Sequence, residues 1–461
     1  MIDRISGGRF LGELFGEWQR AGFRYAVLRD FEHLPDSTGG HDLDLLVERD
    51  DLESMVRLAC RVAERHGGGL IAGYRQSGFL ARFAGRSSGW WGIAIDFFSE
   101  LSFRGLPYYD ARKTLERRVW WRGIPVVAVP EGTMIAFLKE FLHNGTDRKG
   151  YLAGASRTYF LDPVHWRGIF EESFGMDGRL LLVRLLSSGM PDSGEPLARL
   201  VRDLRHCLRQ HRWRQNPGGT WWRQWNNRIG RWRRLFIPPG FMLVILGTDG
   251  SGKSALIAIL RETLTHPLHG AIHVRHWRPG WLPALSVLTG GTAPQGPVTV
   301  PHRSTPSGWL GSMARLGYYS CDFIFGYWLR VFPERVSRPC LTIFDRYFYD
   351  FLVDPRRSRV ALPSWIIRVI AWLVPRPDLV FCLGTDPEII HARKPELSRD
   401  EIARQVERLH HWQGTMDRSH WLDTGTTIEK VHDDALTLLF QAMSSRMIRR
   451  HESLFKQSIG R

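Results

Sequence analysis

Lysine is scarce here: only seven of the chain's 63 basic residues are lysine, and the other 56 are arginine. Cysteine is scarce as well. Cys60, Cys207, Cys321, Cys340 and Cys382 stand alone, with no C-x-x-C pair among them. That spacing excludes a disulfide framework and a cysteine zinc site as organising devices. Long apolar runs are missing too. The most apolar windows, such as 365–374, are short and carry Arg368, far below the roughly 20 residues that span a bilayer. The opening residues, MIDRISGGRF, lack the apolar core of a signal peptide. A cytoplasmic chain is the expectation.

What is present is ordinary globular composition, 43% apolar and 24% charged, over 461 residues. That length corresponds to about two to four domains. The net charge of +16 favours polyanionic partners such as nucleic acid, nucleotides or an anionic membrane face. So strong an arginine bias also follows from the base composition of coding DNA, so charge alone names no partner.

Three compositions follow one another. Residues 1–145 alternate strand and helix signals: helices over 10–20, 52–66 and 131–142, and apolar strand runs at 25–28, 43–47, 93–98 and 126–129. Residues 146–237 read as a helical bridge. Residues 238–461 return to alternating strands and helices, the pattern of a parallel sheet with helices on both faces.

The strongest motif opens the last segment. The buried-strand run FMLVIL (241–246) leads into Gly247, Thr248, Asp249, Gly250, Ser251, Gly252, Lys253 and Ser254, followed by the helical ALIAILRETL. This is G-x-x-x-x-G-K-[ST], the phosphate-loop (Walker A) pattern. Its glycines let consecutive N–H groups turn onto phosphate oxygens at a helix N-terminus, its lysine reaches the β- and γ-phosphates, and its serine hydroxyl ligates Mg²⁺. About 90 residues later, LTIF (341–344) ends in Asp345-Arg346-Tyr347. An Asp there completes a Mg²⁺ shell, and the Arg clamps a phosphoryl group. A third strand, in PDLVFCL (377–383), precedes the Arg-rich ARKPELSRDE (392–401), a lid candidate through Arg393 and Arg399.

GTDGSGKS, IFDRY, PRPDLVFCLGTDPE and ARKPELSRDE resemble thymidylate kinase and its relatives among the P-loop nucleoside monophosphate kinases, over residues 240–445. HVRHWRPGWLP, DFIFGYWLRV and FDRYFYDFLVDPRRSR are most similar to the thymidylate-kinase-like proteins encoded with bacterial polysaccharide biosynthesis genes. The resemblance implies an ATP- and Mg²⁺-dependent kinase. Its catalytic residues would be Lys253, Asp345, Arg346 and Arg393, with the nucleotide at 247–254 and the metal at Ser254 and Asp345. Asp249 would meet a sugar hydroxyl of the acceptor. The Trp-, Pro- and Gly-rich segment 277–310 should build the acceptor site, for a dTMP-like nucleotide or a sugar or glycan intermediate. Homodimers are common among such kinases.

The first segment holds a carboxylate pattern. In GGHDLDLLV, Asp42 and Asp44 lie at i and i+2, on one face of a strand. Asp96 lies in a second apolar strand, IAIDF (93–97). Three carboxylates converging from neighbouring strands can hold two Mg²⁺ for attack on an α-phosphate. Residues 20–145 are similar in this respect to the nucleotidyltransferase superfamily. A Gly-Ser turn before the Asp-x-Asp is usual there, and this chain has Leu28-Arg29-Asp30-Phe31 instead. A working site, a binding-only site and a structural one all remain open, as does joint action of both halves on nucleic acid ends.

The bridge is the basic extreme. Residues 202–235 carry ten Arg against one acid, Asp203. Trp222, Trp225, Ile229, Trp232 and Phe236 recur at helical spacing as one apolar stripe. Three readings compete: a linker helix docked on the kinase segment, an interfacial helix on anionic lipid at the inner membrane, and nucleic-acid binding.

Overall fold

The structure, a computed structural model, describes residues 4–75, 78–147, 150–189, 195–288, 307–416 and 418–451. Most of the expected acceptor segment 277–310 therefore lies outside the described residues. The chain forms two compact units, residues 2–236 with 451–461, and Ile237–Arg450.

The first unit opens with helix α1 (Arg4–Arg20). Its strands are β1 (Tyr25–Val27), β2 (Leu43–Val47), β3 (Gly68–Arg75), β4 (Gly78–Arg86), β5 (Trp90–Phe98), β6 (Leu101–Phe103), β7 (Leu106–Tyr109), β8 (Val119–Trp121) and β9 (Ile124–Val126). Between and after them come α2 (Leu52–Arg65), α3 (Ala111–Glu116), α4 (Val129–Asn144), α5 (Tyr151–Leu161), α6 (Pro163–Ser188), α7 (Glu195–Gln215) and α8 (Pro217–Phe236). Seven strands form a mixed sheet in the order β3-β4-β5-β2-β1-β9-β8, and β6-β7 is a separate hairpin. Helices α4–α7 bury Phe137, Phe141, Trp166, Phe170, Leu182 and Leu204 in one core with Ala26 and Leu46 of the sheet. Helices α5, α6 and α7 of the expected bridge therefore pack into this unit's own core.

The β3-β4 hairpin has no clear signal in the sequence because glycine interrupts it. Those glycines answer a packing demand. A Cβ at Gly78 would lie 1.8 Å from the Phe97 carbonyl oxygen, and one at Gly85 would lie 2.3 Å from the Gly68 Cα. The backbones of β3, β4 and β5 approach too closely for a side chain at either place.

The second unit has strands β10 (Phe241–Gly247), β11 (Ile272–His276), β12 (Leu341–Asp345), β13 (Leu379–Gly384) and β14 (Ser419–Asp423). All pair in parallel, in the order β11-β12-β10-β13-β14. Its helices are α9 (Lys253–Thr265), α10 (Leu285–Leu288), α11 (Trp309–Gly326), α12 (Phe332–Ser337), α13 (Asp350–Val353), α14 (Ser364–Ala371), α15 (Pro387–Arg393), α16 (Arg399–Gln413) and α17 (Ile428–Arg450). β10 and β13 are apolar and buried on both faces, and β12 is buried up to its terminal Asp345, as a parallel sheet covered by helices requires. The expected α/β class is what the chain adopts. β10 is central, flanked by β12 on one side and β13 on the other, so the chain switches sides of the sheet at its C-terminal end. Open parallel sheets receive ligands at such a crevice.

A polar clamp fixes this sheet to its helices. One oxygen of Asp378 accepts from the Met242 N–H of β10 (2.8 Å) and from Arg335 of α12 (2.6 Å). Its other oxygen faces Arg446 of α17 at 3.4 Å. Removing one partner of a buried pair strands the other charge. Asp378→Ala should destabilise this unit by about 3–5 kcal/mol, read as a lowered denaturation midpoint of its unfolding transition.

Candidate functional site

The loop 247–254 leaves the C-terminal end of β10 and enters α9. Gly250 and Gly252 both have φ +90°, in the region open to glycine at little cost. A Cβ at Gly250 would also press on the Ile390 carbonyl oxygen at 3.0 Å, whereas Gly252 faces open space. Lys253 is buried, and its Nζ donates to the carbonyls of Gly247 (2.9 Å) and Thr248 (2.8 Å). Ser254, at the first turn of α9, is exposed. Burial, then the neighbouring Arg346 charge, lowers the Lys253 ammonium to about 8, against the pull of Asp249 and Asp345.

Register brings the acidic strand end to this loop. Asp345 pairs with Ile245 on β10 and with His276 on β11. Asp345 Oδ2 meets His276 Nδ1 at 3.1 Å. Burial raises the carboxyl, but the His276 hydrogen bond and the Lys253 charge outweigh it and hold Asp345 below the usual range. Arg346 has φ +72°, a conformation that costs a non-glycine residue about 1 kcal/mol or more and that clusters at functional sites. Its N–H donates to the Ile245 carbonyl at 2.9 Å. Its buried guanidinium bonds both oxygens of Asp350 (3.0 and 3.1 Å) and Asp249 Oδ1 (2.5 Å). Arg357 takes the other oxygen of Asp249, also at 2.5 Å. Burial disfavours the Asp249 charge, yet Arg346, Lys253 and Arg357 together hold its carboxyl far below the ordinary value.

Three atoms here are buried without a hydrogen-bond partner: Thr248 Oγ1, Ser251 Oγ and Asp345 Oδ1. Buried polar atoms are nearly always paired, so each such exception needs a cause. Two hydroxyls, a carboxylate oxygen, an ammonium and a helix N-terminus in one crevice fit a nucleoside triphosphate with Mg²⁺. Asp345 and Ser254 would hold the metal, and Lys253 with the loop N–H groups would hold the phosphates.

The structure therefore brings Asp249, Lys253, Asp345 and Arg346 together. It places Arg393 elsewhere. At the end of α15, Arg393 donates to the Thr424 carbonyl at 2.9 Å, while its neighbour Lys394 lies against Gly250. Arg399 pairs with Glu388 in an exposed contact at 3.0 Å. Sequence reasoning missed His276, Asp350 and Arg357. His276 was hidden because IHVRH is too polar to read as a strand. Arg357 was one of many arginines in its segment.

In the first unit, Asp44 and Asp96 face each other across β2 and β5 in register. Each carboxylate has its own cation. Arg29 (2.7 Å) and Lys139 (3.6 Å) hold Asp44, and Arg82 (2.7 Å) holds Asp96. Arg29 also donates to the Tyr151 hydroxyl at 2.7 Å. Burial disfavours both charges. Lys139 and Arg29 overcome it at Asp44, which is lowered, while Asp96 is raised, since Asp44 and Asp42 add repulsion that Arg82 does not offset. Asp42, half-buried just before β2, has interactions of its own. Among the described residues no group of three or more His, Cys, Asp or Glu is arranged to hold a metal. Ion pairs stand where a converging metal triad was expected, because each buried carboxylate already has a guanidinium or ammonium against it.

No protein-family model matches the chain, and no curated protein does. Among solved structures, a thymidylate kinase from Ehrlichia chaffeensis is similar over 43% of this chain and 98% of its own, at 18% identity and a TM-score of 0.28.

The lowered Lys253 gives a pH test. A lysine near 8 loses its charge as pH rises through that value, and with it the attraction for phosphate. ATP affinity, measured by titration calorimetry, should fall from pH 7 to pH 9. Lys253→Arg, permanently charged, should remove that slope.

Proposed function

We propose that the Ile237–Arg450 unit is a Mg²⁺-dependent phosphotransferase that uses ATP. The observation that carries this reading is the crevice at the end of β10, where the phosphate loop, with Lys253 and the unpartnered Thr248 and Ser251 hydroxyls, meets Asp345 and Arg346 at the end of β12. Bound ATP with Mg²⁺ would supply an activated terminal phosphoryl group. The chain's part is positioning and charge neutralisation. Lys253 and the loop N–H groups grip the phosphates, Ser254 and Asp345 fix the metal, and His276 orients Asp345. Arg346, braced by Asp350 and Asp249, and Arg357 present positive charge to the acceptor side. Arg393 reaches the phosphates only if its bond to Thr424 is exchanged, a role for a closing lid. The acceptor we favour is a phosphorylated or hydroxylated small molecule, a dTMP-like nucleotide or a sugar or glycan intermediate of polysaccharide biosynthesis.

For the first unit, the ion pairs at Asp44 and Asp96 favour a binding or structural role over two-metal nucleotidyl transfer. That supports a second reading of the whole chain as a nucleotide-responsive scaffold in glycan assembly.

An ATP-consumption assay with Mg²⁺ across dTMP, other nucleoside monophosphates, sugars and sugar phosphates tests both readings. The kinase reading expects turnover with one acceptor, lost at least about 10³-fold in Lys253→Ala and Asp345→Asn, and kept in Asp44→Asn. ATP binding without turnover on any acceptor would leave the scaffold reading standing.

A further inference from the structure

Helix α8 is inverted relative to an ordinary surface helix. It leans on its own unit through Thr220, Gln224, Asn227 and Arg234, which are buried or half-buried. Thr220 Oγ1 donates to the Arg212 carbonyl at 3.0 Å, Arg223 pairs with Glu100 at 3.2 Å, and Arg234 lies 4.2 Å over the Tyr74 ring. At 100° per residue, the opposite face carries Trp222, Trp225, Ile229, Trp232 and Phe236. These are 57%, 44%, 39%, 64% and 81% exposed. Amphipathic helices turn such a stripe toward the core. A contiguous outward patch of this kind marks an interaction surface.

A second, independent feature lies on the flank of the same helix. A cavity of about 440 Å³ between α7, α8 and the β6-β7 hairpin is lined by Arg104, Arg202, Arg205, His206, Arg209 and Arg228, with no carboxylate in its wall. Arg104 and Arg205 both lie over the Phe103 ring. Arg202, Arg209 and Arg228 make no hydrogen bond or ion pair among the described residues. So many cations in one recess call for anions from outside.

We propose that α8 docks the protein on the surface of an anionic lipid bilayer. The Trp stripe enters the interface, and the arginines on its flank take lipid phosphates. The layout favours lipid over nucleic acid. A basic groove for single strands interleaves its aromatics with its cations, whereas here the arginine recess, built largely from α7, is set apart from the Trp stripe, which has Arg233 at its margin. Ile229 and Phe236 extend the stripe as an apolar band, and Trp221 and Trp225 stack on each other at 5.7 Å.

Co-sedimentation of the full chain with vesicles tests this, comparing phosphatidylcholine alone with an equal mixture of phosphatidylcholine and phosphatidylglycerol. The protein should bind the mixture at low salt and leave the neutral vesicles. A Trp222→Ser, Trp225→Ser, Trp232→Ser variant should lose binding to the mixture. An Arg202→Glu, Arg209→Glu, Arg228→Glu variant should lose at least about tenfold. Failure of the wild type to bind the mixture would overturn the proposal. So would binding unchanged in both variants, or a dimer broken by the Trp variant while vesicle binding stays constant. Tighter binding to a single-stranded oligonucleotide than to the mixed vesicles would also overturn it. Where a variant misfolds by circular dichroism, acyl-brominated lipid decides on the wild type: it should quench part of the tryptophan emission, and no quenching refutes insertion.

Discussion

Asp249 holds the candidate site together. Its carboxylate lies between the guanidinia of Arg346 and Arg357, with the Lys253 ammonium 3.8 Å away. Three cations this close would repel one another in a buried crevice. One fixed anion, backed by Asp350 beneath Arg346, lets them coexist. The loop after β10, the turn after β12 and the segment after α13 are thereby joined through charge and not through apolar packing. The apolar sheet places these segments, and the ion network sets their spacing.

The same logic runs differently in the first unit. There the buried carboxylates of Asp44 and Asp96 are each matched to their own cation, and Arg29 goes on to the Tyr151 hydroxyl of α5. The pairs join sheet to helices. In the second unit, by contrast, Lys253, Arg346 and Arg357 share Asp249, Asp345 and Asp350 in one network, and unpartnered hydroxyl and carboxylate oxygens remain beside it. Unmet hydrogen-bonding capacity beside a shared charge network suits a ligand.

Much of this was legible in the sequence, and what was missed has physical causes. FMLVIL followed by GTDGSGKS dictates a buried strand, a left-handed glycine turn and a helix, because no other structure satisfies that periodicity and those glycines. LTIFD reads as a second parallel strand for the same reason. His276 was not legible, since its strand is half-exposed and carries no apolar signature. Arg357 was not, since its role depends on a fold-back toward a loop 108 residues earlier. The β3-β4 hairpin escaped because its glycines, read locally, weaken a strand, while their purpose is the close approach of a neighbouring backbone. For α8 the stripe was visible, but periodicity reports only that a face is apolar. Which way that face turns is decided by the rest of the fold.

The pairing of β10 with β12 acts as a ruler. Asp345 is set opposite Ile245 by parallel register, so the distance between the phosphate loop and the Asp345 carboxylate does not depend on the length of chain joining them. The cost of closing that connection grows only logarithmically with its length. The stretch between β11 and β12 is therefore free to lengthen, shorten or be exchanged while the loop, His276 and Asp345 keep their spacing. The connecting segment and the strand ends that it joins are in this sense separately replaceable parts.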